Sequence, residues 1–197
     1  MNASAEQIKK LRELTGAGVL DAKRTLEQYN GDFDKALAVL REKGLKAAEK
    51  KAERIAKQGL VETYVHGGGK IGVVVEVNCE TDFVAATNEF RQLAHDLVLQ
   101  IAASKPLYVS LDDIPANVVA EQKKIFADAA LAEGKPANIV EKIVQGRTDA
   151  FFKQVVLMRQ PYIRDDTLTI HDLIQSAIAK LGENIVVKRF ARFELGE

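Results

Sequence analysis

Chemistry that depends on cysteine is almost closed to this chain. Among its 197 residues there is one cysteine, Cys79, so no internal disulfide can form and secretion is not expected. The stretch from Met1 to Lys10 has no apolar run of signal-peptide length. No segment approaches the roughly 20 apolar residues of a membrane-spanning helix. Net charge is missing as well: 28 Lys and Arg cancel 28 Asp and Glu. The chain therefore lacks the field that draws nucleic-acid and membrane binders to polyanions. The expectation is a soluble cytoplasmic protein whose specific partner is another protein.

Clustered reactive groups are scarce too. His66, His95 and His171 are dispersed, and none stands with Cys79 at zinc-site spacing. Cys79 falls on the apolar face of a predicted strand, where a free cysteine reads as a small buried hydrophobe rather than a nucleophile. The acid pairs Asp112-Asp113 and Asp165-Asp166 are ordinary turn composition. No catalytic residue, metal ligand or cofactor is expected, and an enzyme is disfavoured.

What is present is enough apolar content, 47% of residues, to bury a core. Charge is distributed unevenly. Residues 1–60 carry 13 Lys and Arg against 9 Asp and Glu, leaving 15 against 19 in the remainder, which suggests two modules. The first reads as three short helices. Ser4 and Gln7 form a capping-box pattern, followed by Ile8, Leu11 and Leu14 at helical spacing, with a stop at Thr15-Gly16-Ala17-Gly18. Leu20, Lys23 and Leu26 mark a second helix ending at Asn30-Gly31. Asp32 caps a third, with Phe33, Leu37 and Leu40 on one face and Gly44 as its end. From Leu45 to Gln58 the chain turns to Ala, Lys, Glu and Arg. This predicts a solvated connecting helix supported by Glu53 and Lys57 at i,i+4 and closed by Gly59.

The second module opens with alternation. Val61, Thr63 and Val65, then Gly67-Gly68-Gly69-Lys70, then Ile71, Val73, Val75, Val77 and Cys79 predict a β-hairpin. The glycine run is a turn and not a phosphate loop, since a strand follows it where that motif requires Lys-Ser/Thr and a helix. Glu80-Thr81-Asp82-Phe83-Val84 then leads into a helix bearing Phe90, Leu93, Leu97 and Ile101. At such a junction Asp82 can simply cap the helix and Phe83 can simply plug the core. Further helices are predicted near 115–133, 138–145, 149–159 and 170–181, with a last strand over 184–195. The class is α+β, with a small antiparallel sheet flanked by helices.

Two stretches carry a family resemblance. Leu11-Arg12-Glu13-Leu14-Thr15-Gly16-Ala17-Gly18-Val19-Leu20-Asp21-Ala22-Lys23 resembles the N-terminal signature of the elongation factor Ts family, and Glu76-Val77-Asn78-Cys79-Glu80-Thr81-Asp82-Phe83-Val84-Ala85 resembles its second signature. The stretch Arg159 to Asp166 and the ending, Gly182 to Val187 and Phe193 to Gly196, look like that family too, so the likeness covers nearly the whole chain in order. Its length is similar to the short bacterial-type form. One departure follows the second signature. The family usually has a basic residue and then Asn there, whereas this chain has Ala86 and Thr87.

The resemblance implies a ubiquitin-associated-like three-helix domain over 1–45, a connecting helix or linker over 46–59, and an α+β core with a dimerisation role over 60–197. It implies a non-enzymatic guanine nucleotide exchange factor that binds elongation factor Tu, both GDP-bound and nucleotide-free, with no direct nucleic-acid or membrane partner. Arg12, Gly16, Val19 and Leu20 are the positions it assigns to docking of the N-terminal domain on the GTPase domain. Thr81, Asp82, Phe83 and Val84 are assigned to the partner's Mg²⁺ and phosphate site, Phe83 as a wedge between helices and Asp82 as a disturbance of the network around Mg²⁺. Longer members resemble a chain with two related core subdomains, and by analogy a homodimer would supply the second. A ubiquitin-binding adaptor would leave 81–84 without a role, a nucleic-acid module would need a basic groove with exposed aromatics, and an enzyme would need clustered titratable groups.

Overall fold

The computed structural model describes residues 3–197; Met1 and Asn2, the start of the expected N-terminal domain, lie outside the described residues. In chain order the elements are α1 (Ala5–Thr15), α2 (Val19–Gln28), α3 (Phe33–Glu49), β1 (Gln58–His66), β2 (Ile71–Cys79), the single turn α4 (Asp82–Ala85), α5 (Asn88–Ser104), α6 (Ala116–Ala132), α7 (Ala137–Val155), β3 (Pro161–Tyr162), β4 (Asp165–Thr169), α8 (Ile170–Leu181) and β5 (Val186–Glu194). Strands β1-β2-β5 form one sheet in that order, and β3-β4 form a second, antiparallel pair. The α+β class and the three N-terminal helices are as the sequence predicts. The chain divides into two compact units. One holds the chain up to Tyr64, Val74–Val98 and Asp172–Ala191; the other holds Val65–Val73, Leu99–His171 and Arg192–Glu197.

In the first unit, the ends of the N-terminal helices are written in side chains. The Gln7 amide donates to Ser4 Oγ at 3.1 Å, and the Ser4 amide donates back to Gln7 Oε1 at 3.4 Å. Each bond satisfies a helix-start donor that would otherwise be free. Gly16, at φ 69°, ends α1 by donating to the Arg12 carbonyl. Asp32 caps α3 by accepting from the Lys35 amide at 3.1 Å. Leu11, Ala22, Leu26, Ala36 and Leu40 form the small shared core, covered by Ile8, Phe33 and Leu37. Each leucine buried there contributes about 2 kcal/mol.

Two glycines that read as helix stops admit α8 closely, and only one of them, Gly16, also ends its helix. Gly44 lies inside α3, which continues to Glu49; a Cβ on it would come within 3.0 Å of the Ala179 Cβ on α8. Gly16 meets the same helix, its would-be Cβ 2.4 Å from the Lys180 Cα. The helical trio thus seats on α8 through two glycines, Gly16 against backbone and Gly44 against the Ala179 methyl group. Because α3 stops at Glu49 and turns follow, Glu53 and Lys57 have no helix between them, and the connecting helix is in fact the extension of α3, with Lys46 pairing to Glu42 at 2.6 Å.

Gly59 belongs to β1 and is not a helix end. Its φ is 141°, and a Cβ would fall 2.1 Å from the Val77 carbonyl oxygen. The central strand β2 buries Val73, Val75, Val77 and Cys79 on one face and leaves Val74 exposed on the other, as period two requires. Phe90, Leu93 and Leu97 of α5, Ile174 and Ile178 of α8, and Val187 of β5 are buried in the first unit, as are Val75, Val77 and Cys79.

In the second unit, α6 packs along α7. A break near Gly146 is expected from sequence, yet α7 runs unbroken from Ala137 to Val155. Thr148 is buried in its middle, and Arg147 makes two bonds to Glu133 at 2.8 and 3.0 Å, so tertiary contacts override the weak propensity of one glycine. The buried Gln100 donates to Gln160 Oε1 and to the Pro161 carbonyl, both at 3.2 Å, and accepts from the Ile163 amide at 2.9 Å. That network fixes the entry to β3, a strand too short for sequence periodicity to reveal. Lys105 and Arg192 both pair with Glu194.

Two expectations follow. Replacing Gly59 with Ala should lower stability in urea unfolding by about 3 kcal/mol or more, since a Cβ there meets backbone and the φ disfavours side chains. Gly146→Ala, in an open helix interior, should instead raise it by up to about 1 kcal/mol. The pairing of Glu194 with Lys105 and Arg192 lowers its carboxyl from 4.5 to about 2. A depressed acid stabilises the fold above its unfolded value, and that contribution is lost as pH falls from about 4.5 towards 2. Urea midpoints measured from pH 6 down to 2.5 should therefore fall less steeply for Glu194→Gln than for the native chain.

Candidate functional site

The end of β2 is shaped by one carboxylate from a distant part of the chain. Glu183, just beyond α8, accepts from the Glu80 amide at 3.1 Å, the Thr81 amide at 2.9 Å and the Thr81 hydroxyl at 2.6 Å. In return Glu80 accepts from the Asn184 amide at 2.7 Å, and Arg54 stands 3.6 Å from the same Glu80 oxygen. Asn184, itself buried, donates through Nδ2 to the carbonyls of Ala52 at 3.2 Å and Arg54 at 2.7 Å. All of these residues lie in the first unit.

On this brace sits the turn α4. Thr81 is extended and caps it, its hydroxyl accepting from the Val84 amide at 3.3 Å. Capping thus falls to Thr81 and not to Asp82, which is exposed. Thr87 bridges onward, donating to the Val84 carbonyl at 2.7 Å and accepting from the Phe90 amide at 3.2 Å. At the point of departure from the family pattern, Thr87 therefore does a capping job that Asn also does well. Ala86 lines a hollow of about 420 Å³ together with Leu60, Glu62, Asp82 and Arg91.

Phe83 does not plug the core. It is 82% exposed, while Val84 beside it is half-buried. Leaving a phenylalanine in water forgoes about 2–3 kcal/mol of burial. The turn, held by Glu183, Thr81 and Thr87, thus presents its largest apolar group to solvent. The loop from α1 to α2 is similar in character. Leu14, Val19 and Leu20 are exposed, Leu20 by 67%, and Arg12 is exposed beside them. Thr15 stiffens this loop, donating to the Leu11 carbonyl at 2.6 Å and accepting from the Ala17 amide at 3.2 Å. The close approach that Gly16 permits is to Lys180 of the same chain. A groove of about 550 Å³ runs between α1, α5 and α8, with Leu14, Leu93, Leu173 and Leu181 along its floor and Glu13 and Lys180 among its polar residues.

Cys79 is fully buried, donates to the Thr81 carbonyl at 3.1 Å, and its thiol is pushed up by burial and by the nearby Glu183. It is a core side chain that helps shape the turn. Among the described residues no group of three or more His, Cys, Asp or Glu is placed to hold a metal ion, and no helix is long and apolar enough to cross a membrane. Sequence reasoning named Thr81, Asp82, Phe83, Val84, Arg12, Gly16, Val19 and Leu20 as candidates and gave no role to Glu183 and Asn184. They are about a hundred residues from the turn they bond, and the family-like stretch Gly182 to Val187 that holds them does not announce that link.

Exposed apolar groups thus stand on a stiffened loop and on a braced strand-to-helix corner. The family model described as Elongation factor TS matches residues 2–197. The chain is 56% identical over 194 residues to an elongation factor Ts of Carboxydothermus hydrogenoformans, covering 98% of this chain and 89% of that one. It is 57% identical over 194 residues to that of Caldanaerobacter subterraneus subsp. tengcongensis, covering 98% and 97%, and 54% identical to that of Coprothermobacter proteolyticus over the full length of both. The chain belongs to the elongation factor Ts family.

Proposed function

We propose that this chain is a cytoplasmic guanine nucleotide exchange factor for elongation factor Tu, acting without bond chemistry of its own. It binds the GDP-bound and nucleotide-free partner, disturbs the partner's Mg²⁺ and phosphate site, and lets GDP leave so that GTP can enter. The observation that carries this reading is Phe83, 82% exposed on a fixed turn in a chain of this family. Phe83 acts as the wedge and Asp82 as the charge that perturbs the Mg²⁺ network, with Thr81 and Val84 holding both in place. The domain over 1–45 docks first through Arg12, Val19 and Leu20, on a loop whose path Gly16 sets; residues 46–59 join it to the core over 60–197.

The energetics are those of reciprocal coupling. If the exchange factor and Mg·GDP favour different conformations of the GTPase, each weakens the other's binding by the same factor. Displacing Mg²⁺ removes the main neutraliser of phosphate charge. A ten-thousandfold faster release needs a barrier lower by about 5.5 kcal/mol, comparable to two or three good interface anchors. The core also pairs with a second copy of itself in this reading; Val61 and Val74, exposed on adjacent strands of the first unit, are apolar surface such a contact would cover.

Stopped-flow release of fluorescent GDP from elongation factor Tu tests the function. The native chain should accelerate release strongly and Phe83→Ala should lose at least about tenfold of that rate, with unchanged thermal unfolding. No acceleration by the native chain would reject the reading. Sedimentation equilibrium at micromolar concentration should return twice the chain mass; a clean monomer would reject the dimer.

A further inference from the structure

We infer that Glu183 is a positioning residue for the exchange surface. Through its hydrogen bonds to the β2–α4 corner it holds Phe83 in its exposed posture, and through Asn184 it ties that corner to the segment that carries the N-terminal helices.

The inference begins from an imbalance of bonds. Residues 82–85 make a four-residue helical turn that buries none of its own side chains, so packing does little to fix it. Fixing comes from outside. Two amides and one hydroxyl of the corner converge on the single Glu183 carboxylate, and hydrogen bonds to an ionised acceptor are about twice as strong as neutral ones. The Thr81 hydroxyl is used on both sides: it donates to Glu183 and thereby turns its lone pair to the Val84 amide. Removing the carboxylate therefore disturbs the cap of α4 as well as the strand end.

The same clamp reaches the other docking element. Glu80 accepts from the Asn184 amide, and Asn184 donates to the carbonyls of Ala52 and Arg54. Those two residues lie in the turn that leads out of α3, so the chain leaving the three-helix module is bound to the residues that hold Phe83. Two docking elements on one partner gain from fixed relative placement, because the ordering cost is met in folding and not in binding. Glu183 touches neither partner nor nucleotide in this scheme; it acts through Phe83. The assignment rests on the exchange function proposed above.

A double-mutant cycle separates this from a general loss of stability. Glu183→Gln keeps the shape but leaves one acceptor oxygen, so with that oxygen on the two amides the Thr81 hydroxyl loses its acceptor and faces an NH2 donor that competes with the Val84 amide. Amide hydrogen exchange of the free protein should quicken at least about tenfold at Thr81 and Val84 while the amides of α1 to α3 keep their protection. In stopped-flow GDP release, Glu183→Gln should slow the stimulated rate at least about fivefold, yet change it less than twofold when Phe83 is already Ala. Unaltered amide exchange at Thr81 and Val84, or equal fold-losses with and without Phe83, would overturn the inference. Should the native chain fail to stimulate release at all, the exchange reading falls, and the amide experiment alone still decides whether Glu183 holds the corner.

Discussion

The Glu183 carboxylate is the interaction on which the arrangement of this protein turns. It brings the start of the last strand segment to the end of β2 and uses three donors there at once. Without it, the corner after Cys79 would be a short, polar, unpacked turn, and Phe83 would be an exposed aromatic on a loose loop. With it, an apolar group is kept in water at a set position. A chain that leaves such burial energy unused at Phe83, and again at Leu20, recovers stability elsewhere: in the three-helix core of Leu11, Leu26 and Leu40, and in the valines of β2.

Glycine has two functions in this fold, and they divide what was legible in the sequence from what was not. Where a glycine ends a helix, the local pattern suffices: Gly16 closes α1, and Ser4 with Gln7 and Asp32 open α1 and α3 as expected. Where a glycine admits a neighbour, the neighbour is distant. Gly44 faces Ala179 and Gly59 faces the Val77 carbonyl, and each reads as a stop when the neighbour is unknown. Gly146 misleads in the same way, because the contacts of Arg147 and Thr148 that keep α7 whole come from tertiary packing. The pair β3-β4 is too brief for alternation to register, and a buried glutamine, Gln100, organises it.

The candidate site follows the same division. Residues 81–84 are candidates through a contiguous signature, as are Arg12, Val19 and Leu20, because each set lies in one local stretch of chain. Whether Phe83 faces core or solvent could not be read from that stretch, since an aromatic at the end of an element is compatible with either. The corner that carries it is bonded to Glu183 and tied to Asn184, which a linear reading does not connect to it. Family membership then supplies the context in which an exposed, immobilised aromatic becomes a proposed wedge beside a nucleotide.

The central claim is that Phe83 enters elongation factor Tu next to the bound nucleotide. A photo-reactive benzoylphenylalanine placed at position 83, irradiated with elongation factor Tu·GDP and mapped by mass spectrometry, tests it most directly. The account predicts cross-links confined to partner residues lining the Mg²⁺ and phosphate site, reduced by excess unlabelled native chain. Cross-links on a remote face of the partner, or none despite complex formation, would contradict it.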